Sequence, residues 1–459
     1  MLKTVLDRFS GDGFRARALR STGMVLLKFG GENILRLISN LILTRLLFPE
    51  AFGLMALVQV VLAALALFSD LGFRGAVVQS PRGDEPVYLN TVWTLQILRG
   101  ILLAILVFSL AGVAGDFYEE PMLTELLMLT AIIPLIEGFN STRMLTADRT
   151  LQLERLTLLF LGTKFIGLIF TVTLAWQMQS VWALAIGNLL APTLMLFLSH
   201  RVLKGLPNRL WLEGAATKSL LRYGAFIFLA SAAAFVVNYG DRAFLGKYIT
   251  LGELAIYSIA ALLAEVPRRL SQAVSGRVIF PLYARRPPAE STKNRKNLNK
   301  ARWLVTAPLF LMAAGFALIG DPLVRFLYDA RYEAAGPLLT LTALSFLLPI
   351  TVQSYLRAPL ASGHSARFAA YQITAGVLHL GVLFMLVPTF GVIGAIIAVP
   401  LETLILYPVL LIMIRPYKAW DPVHDMVFAA IAVAVVCTVI WLNRDILDPL
   451  FAPLLTYIQ

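Results

Sequence analysis

The chain has 459 residues, 58% of them hydrophobic and only 14% charged, with a formal net charge of +12. Soluble domains carry about 25% charged residues, so this composition cannot cover a water-exposed surface, and a mean hydropathy of +0.77 agrees. One cysteine, Cys437, excludes an internal disulfide and a cysteine-based metal site.

Residues 1–20 are basic, with Leu2, Val5, Leu6 and Phe9 at helical spacing, and read as an amphipathic arm on the cytoplasmic membrane surface. Beyond it, apolar runs of about 20 residues are long enough to cross a bilayer as helices. They predict thirteen spans: 22–47, 51–73, 88–115, 123–145, 152–176, 180–200, 218–246, 253–276, 303–320, 336–358, 366–388, 391–414 and 423–442. The tail after Arg444 is too short and proline-broken for a fourteenth. Runs this long and uniformly apolar exclude barrel strands, which alternate, and helices satisfy every backbone polar group within hydrocarbon. The predicted fold class is an all-α polytopic membrane protein with about 13 transmembrane helices.

Lysine and arginine crowd into alternate loops. The other side keeps only Arg45, Lys247, Arg325, Arg331 and Arg444. Cationic loops mark the cytoplasmic side, so the N-terminus is expected in the cytoplasm. The positive charge is therefore topology, and no nucleic-acid partner is expected.

The basic loop 201–217 separates six spans from the next six. A shift of 202 residues brings Leu19-Arg20 onto Leu221-Arg222, Arg45 onto Lys247 and Leu54 onto Ile256. The expected organisation is the arm 1–20, an N-lobe 21–200 with helices 1–6, a cytoplasmic linker 201–217, a C-lobe 218–415 with helices 7–12, and an additional helix 13 with tail, 416–459. Parallel repeats of this kind bind substrate between the halves near the midplane.

Lys28, Glu32, Arg36 and Asn40 recur every four residues and line one side of the first span. An intramembrane charge costs about 2.5–3.5 kcal/mol even on insertion scales, so the stripe must face protein or water. It is either a self-compensating ion chain or the wall of a hydrated cavity, and its surplus cation favours the cavity. Arg99 lies mid-span with Gln96 one turn earlier, and Lys164 is flanked by apolar residues. Glu137 and Asn140 follow Pro134, which should kink the fourth span. Asn238, Asp241 and Arg242 sit near the end of the seventh, Gln372 and His379 share a face of the eleventh, and Glu402 follows Pro400 in the twelfth. Each alone fits a packing hydrogen bond equally well.

Together they nominate Lys28, Arg36, Arg99, Lys164 and Arg242 as cavity cations for an anionic group such as pyrophosphate. Glu32, Glu137, Asp241 and Glu402 are candidate ion-coupling acids. No catalytic or metal-ligating set emerges, no cofactor is implied, and no Walker-type phosphate loop is present. The outer-loop candidates for an enzyme's acidic site (Asp116, Glu119 and Glu120; Asp321, Asp329 and Glu333) read as solvated loop charges, which argues against an enzyme.

At Asn40–Leu57 the sequence NLILTRLLFPEAFGLMAL resembles the signature of the polysaccharide-transporter family, part of the multidrug, oligosaccharidyl-lipid and polysaccharide exporter superfamily. Phe68–Gln79, Ala147–Leu156 and Asp241–Pro267 resemble further segments of that family. The resemblance implies two six-helix lobes around a central cavity. It also implies a flippase that carries undecaprenyl-pyrophosphate-linked oligosaccharide, an O-antigen or exopolysaccharide repeat unit, across the bacterial inner membrane by alternating access. Implied partners are membrane lipid, the lipid-linked substrate, and polysaccharide polymerase and assembly proteins. Arg45, Pro49 and Gly53 fall in the signature turn and are expected to act structurally or in gating. Members commonly have fourteen spans, and the resemblance leads to the expectation that the last is missing or truncated here. A lipid II flippase, a multidrug or cation exporter, and a membrane polysaccharide polymerase are the competing readings. The exporter would be expected to have an acid-dominated cavity, and the polymerase an acidic site on an outer loop.

Overall fold

The computed structural model describes residues 14–69, 72–150 and 153–448. Most of the predicted arm, Asp70 of the second motif and the proline-broken tail from 449 lie outside them. All regular structure among the described residues is helical. Nine helical segments there are long and apolar enough to cross a membrane; each predicted span overlaps a helix, but 51–73 runs past its helix's end at Phe68, and the helices under 22–47, 218–246 and 253–276 are not among the nine.

The first six long helices are α1 (Phe14–Leu46), α2 (Pro49–Phe68), α3 (Pro86–Tyr118), α4 (Pro121–Gly138), α5 (Leu153–Met178) and α6 (Val181–Arg201). Then come α7 (Gly214–Tyr248), α8 (Leu251–Val274), α9 (Thr292–Leu327) and α10 (Ala335–Ala361). The helical run Ser365–Ile414 divides at Gly391, whose φ of +52° lies in the left-handed region that glycine adopts without strain. It is therefore two helices, α11 (365–390) and α12 (392–414). The last is α13 (Pro422–Leu442). Proline opens α2, α3, α4 and α13 in their first turn, where its missing N–H costs nothing. A capping box between Thr250 and Glu253 opens α8.

By compactness the chain divides between Ser231 and Ala232, inside α7. The start of α7 belongs with the first unit because Ala216 and Leu220 pack with Val77, Tyr88 and Val92. The linker is strapped to the same unit. Arg143 donates to the carbonyls of His200, Leu203 and Leu206. The backbone N–H groups of Arg209, Trp211 and Glu213 donate to Asn90, Thr94 and Thr91 on α3, at 2.9, 2.9 and 3.1 Å.

The two units repeat one another in their irregularities. α2 begins at Pro49 and α8 at Leu251, the spacing that the sequence shift anticipates. α4 breaks at Ala131 and α10 at Phe346, each three residues before a proline, Pro134 and Pro349. Proline cannot donate to the carbonyl four residues back, which leaves Thr130 and Ser345 without their helical partner. Gly115 on α3 meets Thr124 on α4, and Gly320 on α9 meets Thr340 on α10, so closely that a Cβ would collide with the threonine in both places. The fourth span ends at Gly138 rather than running to 145. Residues 139–142 are non-helical, and a separate short helix, Arg143–Arg149, follows.

α10 is the enclosed centre of the second unit, with 83% of its apolar window buried. α13, the helix outside the repeat, is held to the same unit by polar contacts. Asp425 accepts from Tyr355 at 2.8 Å and Tyr407 at 2.6 Å, and pairs with His424 at 2.9 Å. Beside them Arg302 is fully buried, donating to Ser354, Tyr283 and the Ala419 carbonyl at 2.9–3.0 Å.

Candidate substrate and coupling sites

In the first unit, α1 and α5 bring three predicted residues together. The Lys28 ammonium lies 3.7 Å from the centre of the Phe160 ring, and Lys164, one turn further along α5, lies 5.2 Å from the same ring. Lys164 also meets Glu32 at 3.8 Å. Two ammonium groups thus share one aromatic ring and one carboxylate. A ring face attracts cations, but it neutralises no charge, so the cluster keeps a net positive charge. Lys164 remains about half exposed. Arg36, two turns beyond Lys28, donates to Asn33 at 3.4 Å.

Arg99 is engaged differently. Its guanidinium donates to the carbonyls of Ala66 and Ser69 at 2.8 Å, at the C-terminus of α2. One turn earlier, Gln96 donates at 3.2 Å to the carbonyls of Glu137, Gly138 and Asn140, which closes the end of α4. Helix C-termini present orphan carbonyls and negative dipole ends, and α3 supplies a cap to two of them. Glu137 is exposed and within Coulomb range of Arg99 and Lys164. Arg45, Pro49 and Gly53 lie at the α1–α2 turn, about 25 Å along α1 from Lys28 at 1.5 Å per residue.

In the second unit the polar groups surround a cavity of about 310 Å3. Asp241 comes from α7, Tyr257, Glu265 and Arg268 from α8, His379 from α11 and Glu402 from α12, while the predicted cavity cation Arg242 is not among the lining residues. Glu265, 3% exposed, is the hub. It pairs with Arg242 at 3.1 Å, with Arg269 through Nε at 2.8 Å, and more loosely with Arg268 at 3.9 Å. Tyr257 donates to Asp241 at 2.6 Å. His379 Nδ1 and a Glu402 oxygen are 2.7 Å apart across the Gly391 turn, and His379 is 2% exposed. Arg242 is therefore a member of a buried ion network, with neighbours on both α7 and α8.

Sequence reasoning singled out none of Glu265, Arg268 and Arg269, although all three fall inside the predicted span 253–276. The available signal was the Glu265–Arg268–Arg269 spacing of three and four residues, which puts opposite charges on one helix face.

The profile of a family described as "Polysaccharide biosynthesis protein" matches residues 42–337, more than half of the chain. The chain belongs to that family. The teichuronic acid biosynthesis protein TuaB of Bacillus subtilis is 23% identical over 314 residues, 68% of this chain and 64% of TuaB. The succinoglycan biosynthesis transport protein ExoT of Rhizobium meliloti is 22% identical over 327 residues, 71% of this chain and 65% of ExoT. The match thus spans a little under two thirds of these relatives' own length. Among solved structures, the lipid II flippase MurJ in an inward closed conformation superposes with a TM-score of 0.71, at 14% identity and 92% coverage of both chains. An inward-facing multidrug-resistance MATE transporter gives 0.66 at 15% identity, covering 84% of this chain and 95% of its own. Identities this low establish the fold alone. The protein is an all-helical, multi-pass membrane protein with the fold of these flippases and exporters.

Proposed function

We propose that the protein is a flippase that carries an undecaprenyl-pyrophosphate-linked oligosaccharide from the cytoplasmic to the outer leaflet of the bacterial inner membrane. The supporting observation is the Lys28–Phe160–Lys164–Glu32 cluster on α1 and α5, a net positive site on the flank of α5, a helix long and apolar enough to cross a membrane. Membership of a polysaccharide biosynthesis family and a fold shared with a lipid II flippase support the same reading. The two lysines would neutralise the pyrophosphate while the lipid tail stays in the bilayer. Arg36 would extend the cationic path, and Arg99 would hold α3 against the end of α2 as the lobe moves. The N-terminus would face the cytoplasm, where the basic loops lie, and alternating access would expose the head group to each side in turn.

A membrane potential negative inside favours export of an anion by about 2.3 kcal/mol per charge per 100 mV. Two charges could thus move without nucleotide hydrolysis, and the protein would act as a transporter rather than an enzyme. The His379–Glu402 pair and Asp241 are the best-placed groups to carry a coupling proton, since they line the cavity of the second unit on three different helices. A drug exporter of the same fold is the second reading, because the MATE likeness is nearly as strong. The cationic cluster of the first unit counts against it.

Lys28→Met and Lys164→Met test the assignment in cells that make a surface polysaccharide through this protein. At matched protein levels the double variant should lose most of the surface polysaccharide. Undiminished polysaccharide would remove the cluster from the substrate path.

A further inference from the structure

The linker between α6 and α7 presents apolar side chains at the protein surface. Leu206, Leu210, Trp211 and Leu212 are 45%, 68%, 58% and 52% exposed, and a contiguous apolar patch of this kind marks an interaction surface. Arg201, Lys204 and Arg209 are interspersed with them and are exposed as well. No acid lies between Arg201 and Leu212, and the first one after them, Glu213, is paired with Arg82 at 2.8 Å. The strap is thus apolar and cationic at once. It binds α3 through its backbone, by the N–H groups of Arg209, Trp211 and Glu213, which leaves these side chains outside the contact.

The position of the strap on α3 says what that surface meets. Thr91 and Thr94, which accept its hydrogen bonds and are buried beneath it, share one side of α3 with Leu98, Ile101, Leu102 and Ile105, all within about 100° of one another at 3.6 residues per turn. Those four apolar residues are 38–57% exposed on a helix apolar enough to cross a membrane, so this side of α3 faces lipid. Hydrocarbon spans about 20 helical residues, which, counted back from Asp116, ends near Gln96. Thr94 and Thr91 then lie about 3–8 Å beyond its edge at 1.5 Å per residue. That is the depth of the head-group layer, about 5–8 Å thick on each side. Tryptophan and leucine beside lysine and arginine are what a segment lying in this layer needs. We infer that residues 201–212 are a membrane-interface anchor: Leu210, Trp211 and Leu212 enter the leaflet on the side of the basic loops, and Arg201, Lys204 and Arg209 hold the phosphates of anionic phospholipids. This surface lies apart from both candidate sites and stands independently of the flippase reading.

The test is spin-label accessibility in the full chain, held in lipid nanodiscs. Cys437 is the sole cysteine, so a Cys437→Ser background accepts one nitroxide at Leu210→Cys, at Trp211→Cys or, as the water-facing reference, at Glu290→Cys, which is exposed on another basic loop. Oxygen concentrates in lipid and a neutral nickel chelate stays in water, so the ratio of their effects reads immersion. In phosphatidylglycerol discs that ratio at both strap positions should be at least fivefold the ratio at Glu290→Cys. It should fall at least twofold in phosphatidylcholine discs, and equally when Arg201, Lys204 and Arg209 are all changed to glutamine in phosphatidylglycerol. Nickel access at the strap equal to that at the reference would overturn the inference. Labels shielded from both agents would also overturn it, because the strap would then lie against protein. A ratio that ignores both the lipid's charge and the triple variant would reject anionic phospholipid as the partner. In unlabelled protein, Trp211→Phe should remove part of the tryptophan quenching caused by brominated phosphatidylglycerol; unchanged quenching would contradict the insertion even if a label had displaced the strap.

Discussion

Glu265→Gln is the sharpest probe of the buried network, because one carboxylate serves three guanidiniums. Glu265 is almost fully enclosed, as are Arg242 and Arg268, whose side chains are each 13% exposed. Glutamine keeps the shape and removes the charge. Among the described residues, Arg242 would then retain Asp241 at 3.9 Å as its acidic neighbour, while Arg268 and Arg269 would lose their acidic partner. Removing one partner of a buried ion pair costs about 3–5 kcal/mol, because the remaining charge stays desolvated. That is a factor of roughly 100 or more in the folding equilibrium. Arg269→Gln is the matched control: its side chain is 37% exposed, so its pair with Glu265 is partly screened and should contribute about 1 kcal/mol or less. Denaturation of the purified protein in mixed micelles, titrated with SDS, reads both values. A Glu265→Gln loss no larger than that of Arg269→Gln would mean that the network is not a buried charge assembly at all.

The repeat makes a paired prediction. Valine at Gly115 or Gly320 should cost at least about 1–3 kcal/mol, because its side chain would force the α3–α4 or α9–α10 pair apart. Valine at Gly112 or Gly315, which meet nothing within 4 Å, should be near neutral; similar melting temperatures for the two sets would contradict the close-packing argument. Arg143→Ala removes charge-assisted hydrogen bonds to two linker carbonyls, Leu203 and Leu206, and to the His200 carbonyl at the end of α6, each worth about 1.5–3 kcal/mol. Hydrogen exchange should then rise across 201–213 while α6 stays protected, and unchanged exchange would mean that the strap is held elsewhere. Glu402→Gln should make transport insensitive to an imposed proton gradient; a preserved response would exclude the His379–Glu402 pair from coupling.

Much of the fold was legible because hydrocarbon tolerates few arrangements. Apolar length gave the helices, and the shift that aligned Arg45 with Lys247 located the repeated helix turn. Pro134 announced the break in α4. Pro349, which breaks α10 in the same way, drew no notice because it lay in an otherwise unremarked apolar run. The candidate sites were harder to read. Lys28, Glu32 and Lys164 were individually visible as charges that lipid would not accept, but only the packing of α1 on α5 shows that they share Phe160. Arg99 looked like a free mid-span cation, and its job of closing α2 depends on a neighbour thirty residues away. His379 and Glu402 were each noted as polar, yet their pairing follows from the reversal at Gly391, which no local pattern announces. Glu265 was missed for the opposite reason. Its three- and four-residue spacing to Arg268 and Arg269 was a local pattern visible inside the predicted span 253–276, and the fold shows the acid buried among them.

Reconstitution bears most directly on the central claim. Vesicles containing the purified protein and an undecaprenyl-pyrophosphate-linked oligosaccharide loaded in the inner leaflet should expose that oligosaccharide to a membrane-impermeant oxidant, faster under a potential that favours outward anion movement. The lipid-linked sugar should be recovered chemically unchanged. Exposure no faster than in protein-free vesicles, or recovery of a lengthened glycan, would contradict the account.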